Sequence, residues 1–225
     1  MLVNLPISPP SLYIDLEGTN LSRNGSISIL QLLVYPRNRT FLLDIHILGD
    51  KAFTTPGADG QSMKDILESD AIPKAFFDVR NDSDALFHHF GIRLAGIQDI
   101  QFMELATRTF SKRCVHGLSK CIEQDLSLGI NEIRAWKKIK DKGRILFAPE
   151  CGGSYDVFNS RPLSEDIWLY CVQDVQFMPR LWIYYQSKLK QNWAEKVRQE
   201  TKNRVILSQT MGYNGQGRHM ALGPW

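Results

Sequence analysis

Long hydrophobic runs and a recognisable signal peptide are both missing from the sequence. No apolar stretch approaches the roughly 20 residues needed to cross a bilayer, and the N-terminus lacks a charged segment followed by a long apolar one. Cysteine is scarce: the four cysteines form no Cys-x-x-Cys pair and match no usual zinc spacing. We therefore expect free thiols in a reducing compartment and an intracellular protein, cytoplasmic or nuclear, that is neither secreted nor bound in a membrane.

A strong net charge is missing too. The 225 residues carry a formal net charge of only +3, so the charge balance alone identifies no partner. A hydrophobic fraction of 43% and a charged fraction of 23% are ordinary for a globular protein. Length and the placing of proline and glycine predict an irregular lead-in over residues 1–11, a folded domain over residues 12–204 and a loop-like tail over residues 205–225.

Hydrophobic patterning predicts an α/β fold. Leu12–Glu17 alternates with the period of a strand, and turn signals separate it from strand-like Ser26–Tyr35 and Thr40–Ile47, which together indicate an antiparallel meander. Downstream, strand-like and helix-like segments alternate, which is typical of parallel α/β construction. The predicted elements there are Lys74–Val79 (strand), Asp82–Phe90 (helix), Ile100–Leu105 (fifth strand), Leu118–Leu126 (helix) and Glu165–Leu189 (one long helix).

Two acidic side chains share one face of the first predicted strand. Asp15 and Glu17 point to the same side as Tyr13, because side chains alternate along a strand. Neighbouring carboxylates repel each other and stay ionised in a protein interior only beside a strong cation. An edge strand with its polar face in water explains the same pattern, so this strand alone does not distinguish a metal site from an exposed polar face.

A third acid interrupts an apolar stripe of the last long helix. Ile167, Cys171 and Met178 share one helical face, and Asp174 falls among them, one turn after Tyr170. A buried carboxylate without a partner costs several kcal/mol, so Asp174 needs one. Either a metal ion or a basic side chain such as arginine satisfies this need.

Asp82 is the fourth candidate acid. It follows the plausible N-cap Asn81, a position where the helix dipole ordinarily favours acids. It is also in line with Leu86 and Phe90 on the apolar side of the helix, which directs it toward the core. Carboxylates that converge from separate elements are the ligands that Mg²⁺ and Mn²⁺ prefer, and two such ions are a standard means of phosphodiester cleavage.

In this order, the segments resemble the motifs of the DEDDy 3′→5′ exonucleases, the group that includes ribonuclease D and the Werner-type exonuclease domain. Asp15–Glu17 matches the first motif, Lys74–Leu86 the second and Tyr170–Asp174 the third. Arg161–Leu163 stands where ribonuclease D relatives carry Arg-Pro-Leu. The Lys74–Asp84 stretch is most similar to the Egalitarian-like branch, in which some members lack activity.

The resemblance implies a ribonuclease H-like fold, with a mixed five-stranded sheet flanked by helices. It also implies two Mg²⁺ or Mn²⁺ ions, held by the four acids Asp15, Glu17, Asp82 and Asp174. Asp15 would bridge the two ions, and Tyr170 would hold the attacking water. Asp78 and Asp84 are rival candidates for the second-motif acid, and the distance to Leu86 favours Asp82.

A basic segment and two polar residues are candidates for substrate binding. Arg134–Arg144 contains six basic residues in eleven. Within it, Trp136 and Lys137 suit a stacked base and a phosphate, although a solvated helix face explains the pattern as well. Thr19 and Asn20 directly follow the first motif and are placed to touch a terminal nucleotide.

These features predict a hydrolase that removes nucleotides from the 3′ end of single-stranded nucleic acid. The resemblance favours RNA as the substrate and leaves the oligomeric state open. The alternatives are a catalytically silent nuclease fold that binds RNA or a protein, and an exonuclease that trims DNA. A site filled by arginine or lysine in place of metal would support the silent scaffold.

Overall fold

A mixed five-stranded sheet forms the centre of the molecule in the computed structural model, which describes residue 2 and residues 5–225. Its strands are Leu12–Glu17 (β1), Ile29–Val34 (β2), Arg39–Asp44 (β3), Lys74–Phe76 (β4) and Ile97–Asp99 (β5), in the order β3-β2-β1-β4-β5. β2 pairs antiparallel with both β1 and β3. β4 runs parallel to both β1 and β5. The predicted meander followed by parallel strands is therefore confirmed.

β1 is the central strand of this sheet, and both of its faces are covered. Leu12, Ile14 and Leu16 pack into one apolar cluster, and Tyr13 packs into another on the opposite side. The alternating pattern of β1 thus contributes to two cores at once. Because β1 lies between β2 and β4, its acidic residues are not explained by an edge strand with one face in water.

Ten α-helices surround the sheet in the described part of the chain. None of these helices is both long and apolar enough to cross a membrane. They are Ile45–Leu48 (α1), Lys51–Thr54 (α2), Met63–Glu68 (α3), Arg80–Phe90 (α4), Ile100–Thr107 (α5), Leu118–Asp125 (α6), Ile130–Phe147 (α7), Glu165–Gln176 (α8), Met178–Lys188 (α9) and Gln191–Ser208 (α10).

One predicted strand is a helix. Ile100–Leu105 was expected to form the fifth strand, but these residues belong to α5, and the fifth strand is the short β5 immediately before it. Every residue from Ile100 to Ala106 is buried. Gln101 and Glu104 are spaced as on one helical face, but both are buried with the apolar residues, and the pattern of so short a segment does not separate helix from strand.

The long helix predicted over Glu165–Leu189 is divided into α8 and α9. Phe177 lies between the two helices, and Pro179 stands in the first turn of α9. Proline fits there because the first backbone N–H groups of a helix have no partner within it. α8 alone carries both residues of the third motif, Tyr170 and Asp174.

The C-terminal segment begins later than predicted and is packed on the domain. α10 continues to Ser208, so residues 205–208 are helical rather than loop. The ring of Trp225 lies 5.5 Å from that of Phe102 and 5.0 Å from that of Trp193, measured between centroids. These aromatic contacts hold the segment against α5 and α10.

Candidate active site

Three carboxylates from two elements converge on one side of the sheet. Asp15 and Glu17 extend from β1, and Asp174 comes from α8, which packs across β1 and β2. Each residue can offer one oxygen atom, and these oxygens lie within 4.8 Å of one another. The start of α8 is capped by Ser164, whose hydroxyl accepts a hydrogen bond from the Ile167 backbone N–H at 3.3 Å.

The protein environment disfavours ionisation of these three carboxyl groups. Burial and the neighbouring Asp174 raise the pKa of Asp15 to about 8. Burial, Asp174 and Asp15 together raise the pKa of Glu17 well above its usual range. Burial also raises the pKa of Asp174, and Lys140 acts in the opposite direction. A cation placed among these carboxylates would stabilise their ionised forms.

Asp82 faces the same cluster from the first turn of α4. Burial raises the pKa of its carboxyl well above the usual value, and the charge of Asp15 raises it further. The Oδ1 atom of Asp82 is buried and has no hydrogen-bond partner among the described residues. Because an unpaired buried oxygen is costly, this atom is in place to receive a ligand.

The two rival acids of the second motif are already paired with arginines. Burial acts to raise the pKa of Asp78, but the hydrogen bond from Arg80 Nε at 2.6 Å and the charges of Arg204 and Arg80 together lower it further than burial raises it. Asp84 accepts a hydrogen bond from Arg23 Nε at 2.8 Å. Asp82 therefore differs from both rivals, because no arginine of the described residues pairs with it, which favours its choice as the second-motif acid.

Tyr170 lies one helical turn before Asp174, with its ring packed against α7. The ring centroid is 4.9 Å from that of Phe147. Burial, together with the charges of Asp174 and Glu17, raises the pKa of the Tyr170 hydroxyl far above its usual value. The hydroxyl therefore stays protonated and can donate a hydrogen bond beside the carboxylates.

Lys140 is a site residue that sequence reasoning missed. Its Nζ forms an ion pair with Asp174 Oδ1 and lies 3.7 Å from the centroid of the Tyr170 ring. The sequence predicts a partner for the buried Asp174 carboxylate, and the Lys140 ammonium compensates part of its charge. The signal that could have revealed it is the spacing of Trp136, Lys140 and Gly143, since the first and last of these mark the buried face of α7.

The donor set of this cluster fits a divalent cation. Asp15, Glu17 and Asp174 supply carboxylate oxygens that can approach a common point. One oxygen each of Asp82 and Asp174 is buried without a hydrogen-bond partner in the described part of the chain. Hard cations such as Mg²⁺ and Mn²⁺ are bound mainly by oxygens of this kind.

A second group of possible metal ligands is less suitable. Glu104, His116 and Cys121 also bring one donor atom each within 4.8 Å of the others. However, Arg108 Nε donates a hydrogen bond to Glu104 Oε1 at 2.8 Å, and the guanidinium carries a positive charge into the group. Glu104 is therefore already neutralised, and a cation there would be repelled.

The predicted substrate-binding residues lie in different surroundings. Thr19 accepts a hydrogen bond from Asn159 Nδ2 at 3.3 Å, and Asn20 is exposed just beyond β1. Lys137 is exposed on α7. Trp136 is only 3% exposed and belongs to the apolar core. Its ring is therefore inaccessible to a stacked base, and the predicted role of Trp136 is corrected to core packing.

Solved structures of similar fold are nucleases. RNase D from Trypanosoma brucei, solved in complex with RNA U12, matches with a TM-score of 0.68 at 19% identity, over 95% of this chain and 68% of that chain. NrnC from Brucella melitensis matches with a TM-score of 0.65 at 20% identity, over 96% of this chain and 93% of that chain. This likeness confirms the predicted ribonuclease H-like fold.

Curated relatives share part of the chain at higher identity. The piRNA biogenesis protein EXD1 of Mus musculus is 33% identical over 122 residues, which are 52% of this chain and 20% of that protein. EXD1 of Homo sapiens is 36% identical over 111 residues, or 49% of this chain and 20% of that protein. The match thus spans about a fifth of the length of these relatives. A family model described as 3′-5′ exonuclease matches residues 2–190, and the chain belongs to this 3′-5′ exonuclease family.

Proposed function

We propose that this chain is a metal-dependent 3′→5′ exonuclease that hydrolyses the terminal phosphodiester bond of single-stranded nucleic acid, with RNA preferred. The convergence of Asp15, Glu17 and Asp174 within 4.8 Å is the observation that carries the proposal. Asp82 faces the same cluster. Membership of the exonuclease family supports 3′-end hydrolysis as the chemistry of such a centre.

The four acids are assigned to hold two cations. When bound, a pair of Mg²⁺ or Mn²⁺ ions supplies a deprotonated water at neutral pH and stabilises charge on the attacked phosphate. Asp15, Glu17 and Asp174 would hold the ion that activates water, and Asp15 would also contribute to holding the second ion. Asp82 is assigned to the second ion.

Tyr170 is assigned to orient the nucleophile. Because its hydroxyl stays protonated, it hydrogen-bonds the water and does not act as a base. The water oxygen forms a bond to phosphorus while the bond from phosphorus to the 3′ oxygen of the preceding nucleotide breaks. That oxygen takes up a proton, a nucleoside 5′-monophosphate leaves, and the shortened strand keeps a free 3′-hydroxyl.

The substrate class is supported by the known proteins that resemble this chain. RNase D of Trypanosoma brucei was solved with RNA U12, and NrnC of Brucella melitensis was solved with pGG. The EXD1 relatives are named for piRNA biogenesis. These names support a short or single-stranded RNA with a free 3′ end as the first substrate to try.

A cleavage assay tests this proposal. End-labelled single-stranded RNA and DNA of one sequence are incubated with Mg²⁺, Mn²⁺ or EDTA. We expect ladders that shorten from the 3′ end of the RNA, only with metal, and no ladder with Asp15→Asn or Asp174→Asn. Asp166→Asn is the matched control, because Asp166 lies on the same helix but is 40% exposed and paired with Lys142. Intact substrates with every metal would contradict the proposal.

A catalytically silent, RNA-binding nuclease fold is the second candidate function. The observation in its favour is the Lys140 ammonium on Asp174, where a cation would otherwise bind. RNA binding without cleavage, unaffected by Asp15→Asn, would support this candidate over the enzyme.

A further inference from the structure

We infer that Lys140 competes with the divalent cation for Asp174, holding the acid cluster together without metal and leaving the carboxylate when metal binds. This inference rests on the metal centre of the proposed function. It assigns Lys140 as a positioning residue that sets the affinity of the centre for metal.

The position of Lys140 is determined by close packing of α7 on α8. Gly143 lies against Tyr170 so closely that a β-carbon at position 143 would be 2.5 Å from Tyr170 Cδ2. Trp136, one turn before Lys140, is buried in the core. Between these two contacts, the side chain of Lys140 is only 16% exposed and is directed at Asp174 and the Tyr170 ring.

The charge of Lys140 compensates the acid cluster, whereas neighbouring lysines of α7 form ion pairs on the surface. Among the described residues, Lys140 is the one basic side chain within ion-pair distance of any of the four acids. Its neighbours on α7 have other partners: Lys137 pairs with Glu123 at 2.7 Å, and Lys142 pairs with Asp166 at 3.1 Å. Those two lysines are half exposed, so the basic run on α7 divides into surface charges and one inward charge.

One carboxylate oxygen of Asp174 has an ion-pair partner, and the other has no partner among the described residues. Oδ1 is held by Lys140, while Oδ2 is buried without a hydrogen-bond partner in the described part of the chain. A divalent cation drawn to Asp15, Glu17 and Asp174 would meet the ammonium at short range, where two positive charges in a partly buried site repel strongly. Metal binding and the Lys140 ion pair therefore oppose each other.

The test measures metal binding directly and does not depend on catalysis. The wild type and Lys140→Met are freed of metal and titrated with Mg²⁺ and with Mn²⁺ by calorimetry and by thermal unfolding. We expect Lys140→Met to bind metal at least about tenfold more tightly, since the loss of one nearby positive charge in a partly buried site is worth that factor or more. Its metal-free form should melt at a lower temperature than the metal-free wild type, because Asp174 loses its ion-pair partner.

Two further variants control for general effects. Lys142→Met removes a lysine and an ion pair from the same α7–α8 contact and should bind metal like the wild type. Lys140→Arg keeps the charge and should keep the weaker metal affinity. If Lys140→Met does not fold, Lys140→Gln is titrated in its place, since glutamine is neutral and can still donate a hydrogen bond to Asp174.

The outcomes separate this inference from the proposed function. Cleavage by the wild type with unchanged metal affinity in Lys140→Met would overturn the inference and leave the proposed enzyme intact. Metal binding by Lys140→Met but not by the wild type would support the inference and contradict the proposed enzyme. No metal binding by either protein would overturn both.

Discussion

Gly143 on α7 lies directly against the ring of Tyr170 on α8, with no room between them for a methyl group. A β-carbon there would be 2.5 Å from Cδ2 and 2.7 Å from Cγ of Tyr170. We therefore expect Gly143→Ala to push α7 from α8, lowering the free energy of unfolding by about 1–2 kcal/mol despite the better helix propensity of alanine. Cleavage should fall as well, because both Tyr170 and Lys140 are displaced.

The control for this change lies at the N-terminal end of the same helix. Apart from the two chain neighbours of Gly129, which precedes α7, no atom of the described residues lies within 4 Å of a β-carbon added there. Gly129→Ser should leave the free energy of unfolding unchanged or slightly increased, because serine is a good N-cap. Denaturant unfolding measures both variants, and equal stability of the two would show that the contact with Tyr170 is not tight.

Tyr170→Phe should lower the rate of RNA cleavage by roughly 10²-fold, as expected for loss of one group that positions a reacting water. Metal affinity should not change, because the hydroxyl is not assigned as a ligand. Single-turnover cleavage and calorimetric metal titration make the distinction. A variant with a wild-type rate would remove Tyr170 from the mechanism, and a variant with weakened metal binding would give it a different role.

Arg23 should be required for stability, although it lies outside the acid cluster. Its guanidinium donates hydrogen bonds to Asp84 at 2.8 Å and to the backbone oxygens of Ser208 and Thr210 at 2.9 and 2.8 Å. Arg23→Ala leaves the buried Asp84 carboxylate without this partner, and we expect a loss of about 3 kcal/mol in the free energy of unfolding.

The matched control is Arg198→Ala, which removes an arginine whose ion pair with Glu195 is exposed. That change should alter the free energy of unfolding by no more than about 0.5 kcal/mol. Denaturant titration measures the difference, and similar losses in both variants would show that Arg23 does not join the β1–β2 turn to the end of α10.

Lys74 should make the stability of the protein depend on pH. Its side chain is wholly buried, and Nζ donates hydrogen bonds to the backbone oxygens of Ile66 and Ser69, both at 2.7 Å. Burial lowers the pKa of Lys74 to about 8, below its value of about 10.4 in an unfolded chain. The unfolded state therefore binds more protons between these values, and stability rises with pH across that window.

Lys74→Met isolates this contribution. The stability of the wild type relative to this variant should grow as pH rises from about 8 to about 10.5, with a slope of at most about 1.4 kcal/mol per pH unit. Equilibrium unfolding of both proteins over this range provides the measurement. A constant difference would mean that burial does not shift the Lys74 pKa.

The residues of the motifs can be predicted because local sequence patterns show which strand or helix face each one occupies. Asp15 and Glu17 share a strand face through the two-residue period, and Tyr170 and Asp174 share a helix face through the turn. The choice of Asp82 from sequence rested on its distance to Leu86. The structure adds a physical reason, since both neighbouring rivals are paired with arginines.

The features that escaped prediction depend on how helices pack against one another. Lys140 belongs to a basic run, and the contact of α7 with α8 through Gly143 shows which lysine points inward. Trp136 was expected on the surface for the same reason, since its burial depends on that packing. Ile100–Leu105 is short and mostly apolar, and its two polar residues, Gln101 and Glu104, are buried, so its pattern does not separate helix from strand.

The central position of β1 also has a consequence for the synthesis of this protein. β1 leaves the ribosome before α7 and α8, so Lys140 and Asp174 are synthesised after Asp15 and Glu17. A nascent chain that ends before α8 therefore contains Asp15 and Glu17 but cannot enclose a cation with Asp174. A partly synthesised chain thus lacks the assembled acid cluster until α8 has emerged.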